Sequence, residues 1–138
     1  MNFEKPSAYK NISSAEIRTT QKNEFKEVVV SREEFQDLLN ENNTVIVFKF
    51  GATWCKPCQS IKSHVKECVS KLPNNICCLE LDVDDSFDLY AYLKSKKQVN
   101  GIPCLLAYKM GNTSFAPDFS ISGTNLENIT SFFNNLND

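Results

Sequence analysis

The chain is expected to fold as an α/β protein, and three observations carry that expectation. Short apolar runs of strand length, Val45–Phe50 and Ile76–Val83, alternate with stretches whose apolar residues recur at helical spacing. Both runs are apolar on two faces apart from Lys49, Glu80 and Asp82, the pattern of central strands covered by helices on either side. Turn-forming and capping residues fall between the segments, so each element has a marked start and stop.

Residues 1–23 are polar and lack a sustained period. They read as an N-terminal arm with room for a short strand or helical turn around Ala8–Ile17, and the folded domain takes residues 24–138. Phe25–Val30 is the first expected strand. Ser31, with Glu34 three residues on, forms a capping box for a helix whose apolar stripe is Phe35, Leu38 and Leu39. After Val45–Phe50, a second helix carries Ile61, Val65, Cys68, Val69 and Leu72 until Pro73-Asn74-Asn75 stops it. Beyond Ile76–Val83, Asp84 or Asp85 is placed to cap a helix through Leu89, Tyr92 and Leu93. A Gly101-Ile102-Pro103 turn leads into a strand from Cys104 to Tyr108, then a turn at Gly111-Asn112. Phe115–Ile121 is the last expected strand, its start confined by Pro117 to a sheet edge or a bulge. Thr124 and Glu127 cap a final helix bearing Leu126, Ile129, Phe132, Phe133 and Leu136. The order is β-α-β-α-β-α-β-β-α.

A length of 138 residues suits one domain with a core that needs no disulfide staples. A net charge of −2 offers no broad attraction to nucleic acid or to an anionic membrane. No apolar secretory core stands between Met1 and Glu24, and no stretch approaches the ~20 apolar residues that span a bilayer. A cytoplasmic location is therefore expected. In that setting Cys68, Cys77, Cys78 and Cys104 read as free thiols packed as small apolar groups.

The chemistry concentrates in Trp54-Cys55-Lys56-Pro57-Cys58, a few residues after the strand Val45–Phe50. Two cysteines separated by two residues at a strand-to-helix junction form a dithiol able to close into a small disulfide. A thiol at a helix start meets unpaired N–H groups and the positive end of the dipole, which lower its pKa from roughly 8.5 toward 7 or below. Pro57 suits the first turn because it has no N–H to leave unpaired. A zinc site from Cys55, Cys58, Cys77 and Cys78 is disfavoured, because adjacent strand residues such as Cys77 and Cys78 point to opposite faces. No metal is expected. His64 reads as a partly exposed or core histidine. Asp82, Asp84, Asp85 and Asp88 lack the glycine turn and terminal Glu of a calcium loop and read as strand-end and capping acids.

With these residues in view, the chain resembles the thioredoxin family over about residues 25–137. The Trp-Cys-Lys-Pro-Cys segment, Gly101-Ile102-Pro103 and the closing hairpin and helix carry the resemblance. It implies a central mixed β-sheet flanked by four helices, with Pro103 in a cis peptide facing the dithiol across a substrate groove. It also implies that Cys55 attacks a partner's disulfide and that Cys58 resolves the mixed disulfide. Cys55 is then the exposed nucleophile and Cys58 the more buried thiol. Trp54, Lys56, Pro57, Ile102 and Pro103 would shape the groove, with Ile102 pairing to the substrate backbone. The implied activity is protein-disulfide reduction with no bound cofactor, drawing reducing equivalents from a thioredoxin reductase-type partner, in a chain expected to be a monomer. An oxidant or isomerase role depends on potential and compartment. The alternative is a non-catalytic thioredoxin-fold module that only binds partners, but such modules usually lack one or both cysteines.

Several positions depart from the family pattern. Lys56 replaces the commonest Gly, Lys49 stands where many members have a buried Asp, Glu80 where many have a Lys, and Ser63 where a proline usually kinks the helix. Lys49 and Glu80 interrupt strands otherwise suited to full burial, and an isolated buried charge costs several kcal/mol. They are expected either to form a charge-reversed internal pair that tunes Cys58, or to reach water separately, Lys49 by snorkelling and Glu80 at a strand edge. Cys104, next to Pro103, reads as a packing thiol, with stress oxidation near the groove as the alternative.

Overall fold

The computed structural model describes residues 24–136. The proposed arm over residues 1–23, including any element around Ala8–Ile17, lies outside them. Five strands form one mixed sheet: β1 (Lys26–Glu27), β2 (Val45–Gly51), β3 (Ile76–Asp82), β4 (Cys104–Lys109) and β5 (Phe119–Ser122). Their order is β1-β3-β2-β4-β5. β1 and β2 run parallel to β3, whereas β4 is antiparallel to both β2 and β5. The helices are α1 (Arg32–Asn40), α2 (Lys56–Ser60), α3 (Lys62–Ser70), α4 (Phe87–Ser95) and α5 (Leu126–Asn135).

Side chains alternate across the sheet, so each face builds its own core. Ile46, Phe48 and Phe50 of β2 join Cys77 and Leu79 of β3 beneath Phe35 and Leu38 of α1 and Leu89 and Leu93 of α4. Phe35, Phe48 and Tyr108 form a tilted and edge-to-face aromatic trio with centroids 5.2 to 5.7 Å apart. Val47, Cys78 and Leu105 face the other way, against Val65 and Val69 of α3 and Ile129, Phe132 and Phe133 of α5. Cys77 and Cys78 thus lie in separate cores, as their alternation requires.

Five helical segments replace the expected four because the helix after the dithiol breaks at Ile61. No proline causes the break. At the break the Ser60 hydroxyl donates to the Pro57 carbonyl at 2.7 Å and the Ile61 N–H donates to the Gln59 carbonyl. The Ser31–Glu34 capping box of α1 is present in both directions. Two other caps shift by one or two residues. Ser86 rather than Asp84 or Asp85 precedes α4, and Asn125 rather than Thr124 caps α5 by accepting the Asn128 N–H at 2.9 Å.

Two strands are shorter than expected. The β1 ladder ends where the Val28 N–H meets the Glu80 carbonyl, after which the Val30 N–H turns to the Ser86 hydroxyl. Residues 115–118 belong to the loop before β5. Tyr108 Oη donates to the Phe115 carbonyl, while Asn112 Nδ2 donates to the Ala116 carbonyl and to Asp118 Oδ2. Pro117 has no N–H to add to a ladder there.

Candidate active site

β2 delivers the site by ending at Gly51, from which the chain turns through Ala52 and Thr53 into α2. The Cys55 N–H donates to the Ala52 carbonyl at 3.2 Å, closing the turn. Cys55 is itself the N-cap of α2: its backbone is extended, and its Sγ accepts the Cys58 N–H at 3.1 Å. A hydrogen bond to sulfur at a helix start favours the thiolate over the thiol. Cys55 and Cys58 are joined as a disulfide, so the structure holds the oxidised state of the pair.

Cys55 does not stand out from the surface in this state. It is 4 % exposed and Cys58 3 %, against the expectation of an exposed first cysteine. Both cysteines belong to the apolar cluster that also holds Ala52 and against which Ile102 packs. What is exposed is the rim: Trp54 at 64 %, with Lys56 and Pro57 also solvent-facing. Ile102 is half-buried, Pro103 is buried, and the Ile102–Pro103 peptide is cis, as the resemblance implied.

Lys49 and Glu80 meet. The parallel register sets them opposite each other on β2 and β3, and Lys49 Nζ donates to Glu80 Oε2 at 2.9 Å. The Lys49 side chain is 6 % exposed and that of Glu80 29 %, so the carboxylate forms the wet end of the pair. A Cβ at Gly51 would lie 3.5 Å from Cys58 Sγ and 3.9 Å from Lys49 Nζ. A cleft of about 340 Å³ is lined by Lys49, Gly51, Cys58, Lys62, Glu80 and Asp82.

The remaining polar candidates have structural occupations. Asp82 Oδ1 accepts the Asp84 N–H at 2.8 Å, and Asp88 Oδ2 accepts the Arg32 N–H at 2.9 Å. Asp84 Oδ2 accepts Trp54 Nε1–H at 2.8 Å and so fixes the exposed indole beside the disulfide. Sequence reasoning missed this contact, although a tryptophan N–H wants an acceptor and Asp84 was at hand. Among the described residues, no three His, Cys, Asp or Glu side chains come together as a metal site. Cys104 is buried in the core, and burial pushes its thiol up to about 12 although the Lys49 charge acts in the opposite direction. Cys104 belongs to the core cluster with Phe50, Leu106 and Tyr108.

A sequence model of the thioredoxin family matches residues 26–135, a span that includes the dithiol, the cis-proline turn and all five strands. The chain is 32 % identical to rabbit (Oryctolagus cuniculus) thioredoxin over 109 residues, covering 78 % of this chain and 95 % of that protein. It is 31 % identical to thioredoxin 1 of Plasmodium falciparum over 86 residues, 62 % of this chain and 77 % of the relative. Among solved structures, thioredoxin from Trypanosoma brucei brucei superposes with a TM-score of 0.65 at 20 % identity, over 84 % of this chain and 93 % of that one. No helix among the described residues is long and apolar enough to cross a membrane. The chain belongs to the thioredoxin family and, with its Cys55–Cys58 disulfide, is a thiol–disulfide oxidoreductase.

Proposed function

We propose that Cys55 is the attacking thiol and Cys58 the resolving thiol in the reduction of protein disulfides. The observation that carries this assignment is the Cys58 N–H donated to Cys55 Sγ at the start of α2. In the reduced protein the Cys55 thiolate attacks one sulfur of a partner disulfide. That S–S bond breaks, and the departing sulfur leaves as a thiol once protonated. Cys58, losing its proton, then attacks Cys55 Sγ, expels the second partner sulfur and closes the Cys55–Cys58 disulfide. Two electrons pass from the dithiol to the partner. Trp54, Lys56 and Pro57 form one wall of the docking groove, and Ile102 and Pro103 the other, with the Ile102 backbone free to pair with an extended substrate.

Lys49 and Glu80 serve the resolving thiol. A buried ammonium beside Cys58 favours its thiolate, and Glu80, reaching solvent, accepts the proton through water in the cleft. The cycle uses no bound cofactor and is closed by a thioredoxin reductase-type partner. The protein works as a monomer in the cytoplasm, a reducing setting that suits the Cys68, Cys78 and Cys104 thiols. Insulin-disulfide reduction driven by dithiothreitol tests the catalytic reading. The chain should accelerate insulin precipitation and Cys55→Ser should abolish the acceleration; equal rates for the two would overturn it.

A further inference from the structure

Among the described residues, α4 packs by two of its faces and leaves a third open. Leu89 and Leu93 are buried beneath it. Asp88 and Tyr92 meet α1, where Asp88 Oδ2 accepts the Arg32 N–H and the Arg32 guanidinium lies 4.1 Å above the Tyr92 ring. Phe87, Tyr90, Ala91 and Lys94, spaced i, i+3, i+4 and i+7, share the remaining flank. Phe87 is 65 % exposed and lies outside both core clusters, while Tyr90 and Ala91 are half-buried.

Contacts at its start and its middle set this flank beside the dithiol. At its start, Asp84 Oδ2 holds the Trp54 indole from the turn that enters α4, a turn kept tight by the Ser86 N–H donating to the Asp82 carbonyl. Farther along, the Tyr90 ring lies 5.6 Å from that of Phe50, the β2 residue next to Gly51 and opposite Cys104. Tyr90 and Ile102 both pack against the cluster that contains Cys55, Cys58 and Cys104. The flank therefore extends from the Trp54 wall of the groove, and Lys94 Nζ, 6.0 Å over the Tyr90 ring, closes its far end.

We propose that Phe87 and Tyr90 set substrate choice, the α4 flank receiving a large apolar side chain from the partner segment that carries the target disulfide. The assignment rests on the docking groove proposed above and widens it by one helix face. The sulfur chemistry is unchanged: Cys55 forms the mixed disulfide and Cys58 resolves it. As the mixed disulfide forms, the partner's apolar side chain leaves water for the two rings, so partners that carry one react faster than partners with a small polar residue there. Asp84 is already engaged by Trp54, so apolar area, not charge, makes the selection at the start of the flank.

The test uses the full chain with the Cys55–Cys58 pair reduced, and two cyclic peptide disulfides identical except for Phe or Ser on both sides of each cysteine. Acid quenching, alkylation and mass measurement give the rate at which each peptide oxidises the dithiol. The Phe peptide should react about fivefold faster or more, and Phe87→Ser should bring the ratio to within about twofold. Met110→Ser, which removes an equally exposed apolar residue beyond the end of β4 away from Cys104, should keep the wild-type ratio. Each ratio compares two peptides on one protein sample, so a misfolded fraction of a variant cancels. Equal rates of the two peptides with wild type, or a wild-type ratio retained in Phe87→Ser, would overturn the proposal and leave the reductase reading standing. If neither peptide oxidises the dithiol, the reductase reading falls and this proposal falls with it.

Discussion

The internal pair of Lys49 and Glu80 makes the most exacting prediction, because its two members are buried unequally. Glu80→Gln leaves the Lys49 ammonium, 6 % exposed, facing a neutral partner. The loss of a charge-assisted hydrogen bond to a buried cation should cost about 2 kcal/mol. Lys49→Met leaves a carboxylate that is 29 % exposed and can turn to water, so its cost should be nearer about 1 kcal/mol. The double variant removes both charges together and should cost about 1.5 kcal/mol, which makes the coupling about 1.5 kcal/mol. Urea denaturation of the oxidised protein at pH 7 measures all four corners of the cycle, and each 1 kcal/mol should also move Tm by roughly 3–5 °C for a domain of this size. The reversal supplies a sterner form of the test. Lys49→Asp alone sets two carboxylates opposite each other, and Glu80→Lys alone sets two ammonium groups there. Lys49→Asp with Glu80→Lys should be more stable than either. Additivity within about 0.4 kcal/mol in the first cycle would mean that the 2.9 Å contact carries no interaction energy, and the assignment of the pair to Cys58 would fall with it.

Further outcomes follow from the site and the caps. Cys58→Ser should accumulate mixed disulfides with partner proteins through Cys55, and Cys55→Ser should accumulate none; non-reducing electrophoresis with mass identification reads the difference. Burial raises the Cys78 and Cys104 thiols, so the folded state holds protons that the unfolded chain releases from about pH 9. Their contribution to stability is therefore full below that pH and should fall above it by about 1.4 kcal/mol per pH unit per thiol. Cys104→Ala should flatten the slope measured by urea denaturation between pH 7 and 10, whatever it does to stability at pH 7. Ser31→Ala removes the side-chain acceptor of the α1 capping box and should lower stability by about 1 kcal/mol without altering the insulin assay.

Elements defined by local rules were legible in the sequence. The Ser31–Glu34 box, the apolar stripe of α1 and the doubly buried runs of β2 and β3 all rest on neighbours within a turn or a pleat. The reading failed where long-range partners decided the outcome. The ladder of β1 stops because the Ser86 hydroxyl, far along the chain, captures the Val30 N–H. Phe115–Asp118 looks like strand by composition, yet Asn112 and Tyr108 draw its carbonyls and carboxylate into a loop. The break at Ile61 comes without the proline that usually marks one, so no strong signal in the sequence announces it.

The same division runs through the site. Cys55 at a helix start was readable from Trp-Cys-Lys-Pro-Cys, because a dithiol and a first-turn proline are local features. Its burial was not, because it depends on a core cluster that Cys55 shares with residues distant in sequence, Ile102 among them. Lys49 and Glu80 occupy an intermediate position. Each was conspicuous as a charge in an apolar strand, but only the β2–β3 register brings them face to face, since a slip of one residue would turn one charge to the opposite core. The register is anchored at both ends, by Val45 opposite Ile76 and Gly51 opposite Asp82. Gly51 therefore closes the strand pairing and also lines the cleft that Lys49, Glu80 and Cys58 share.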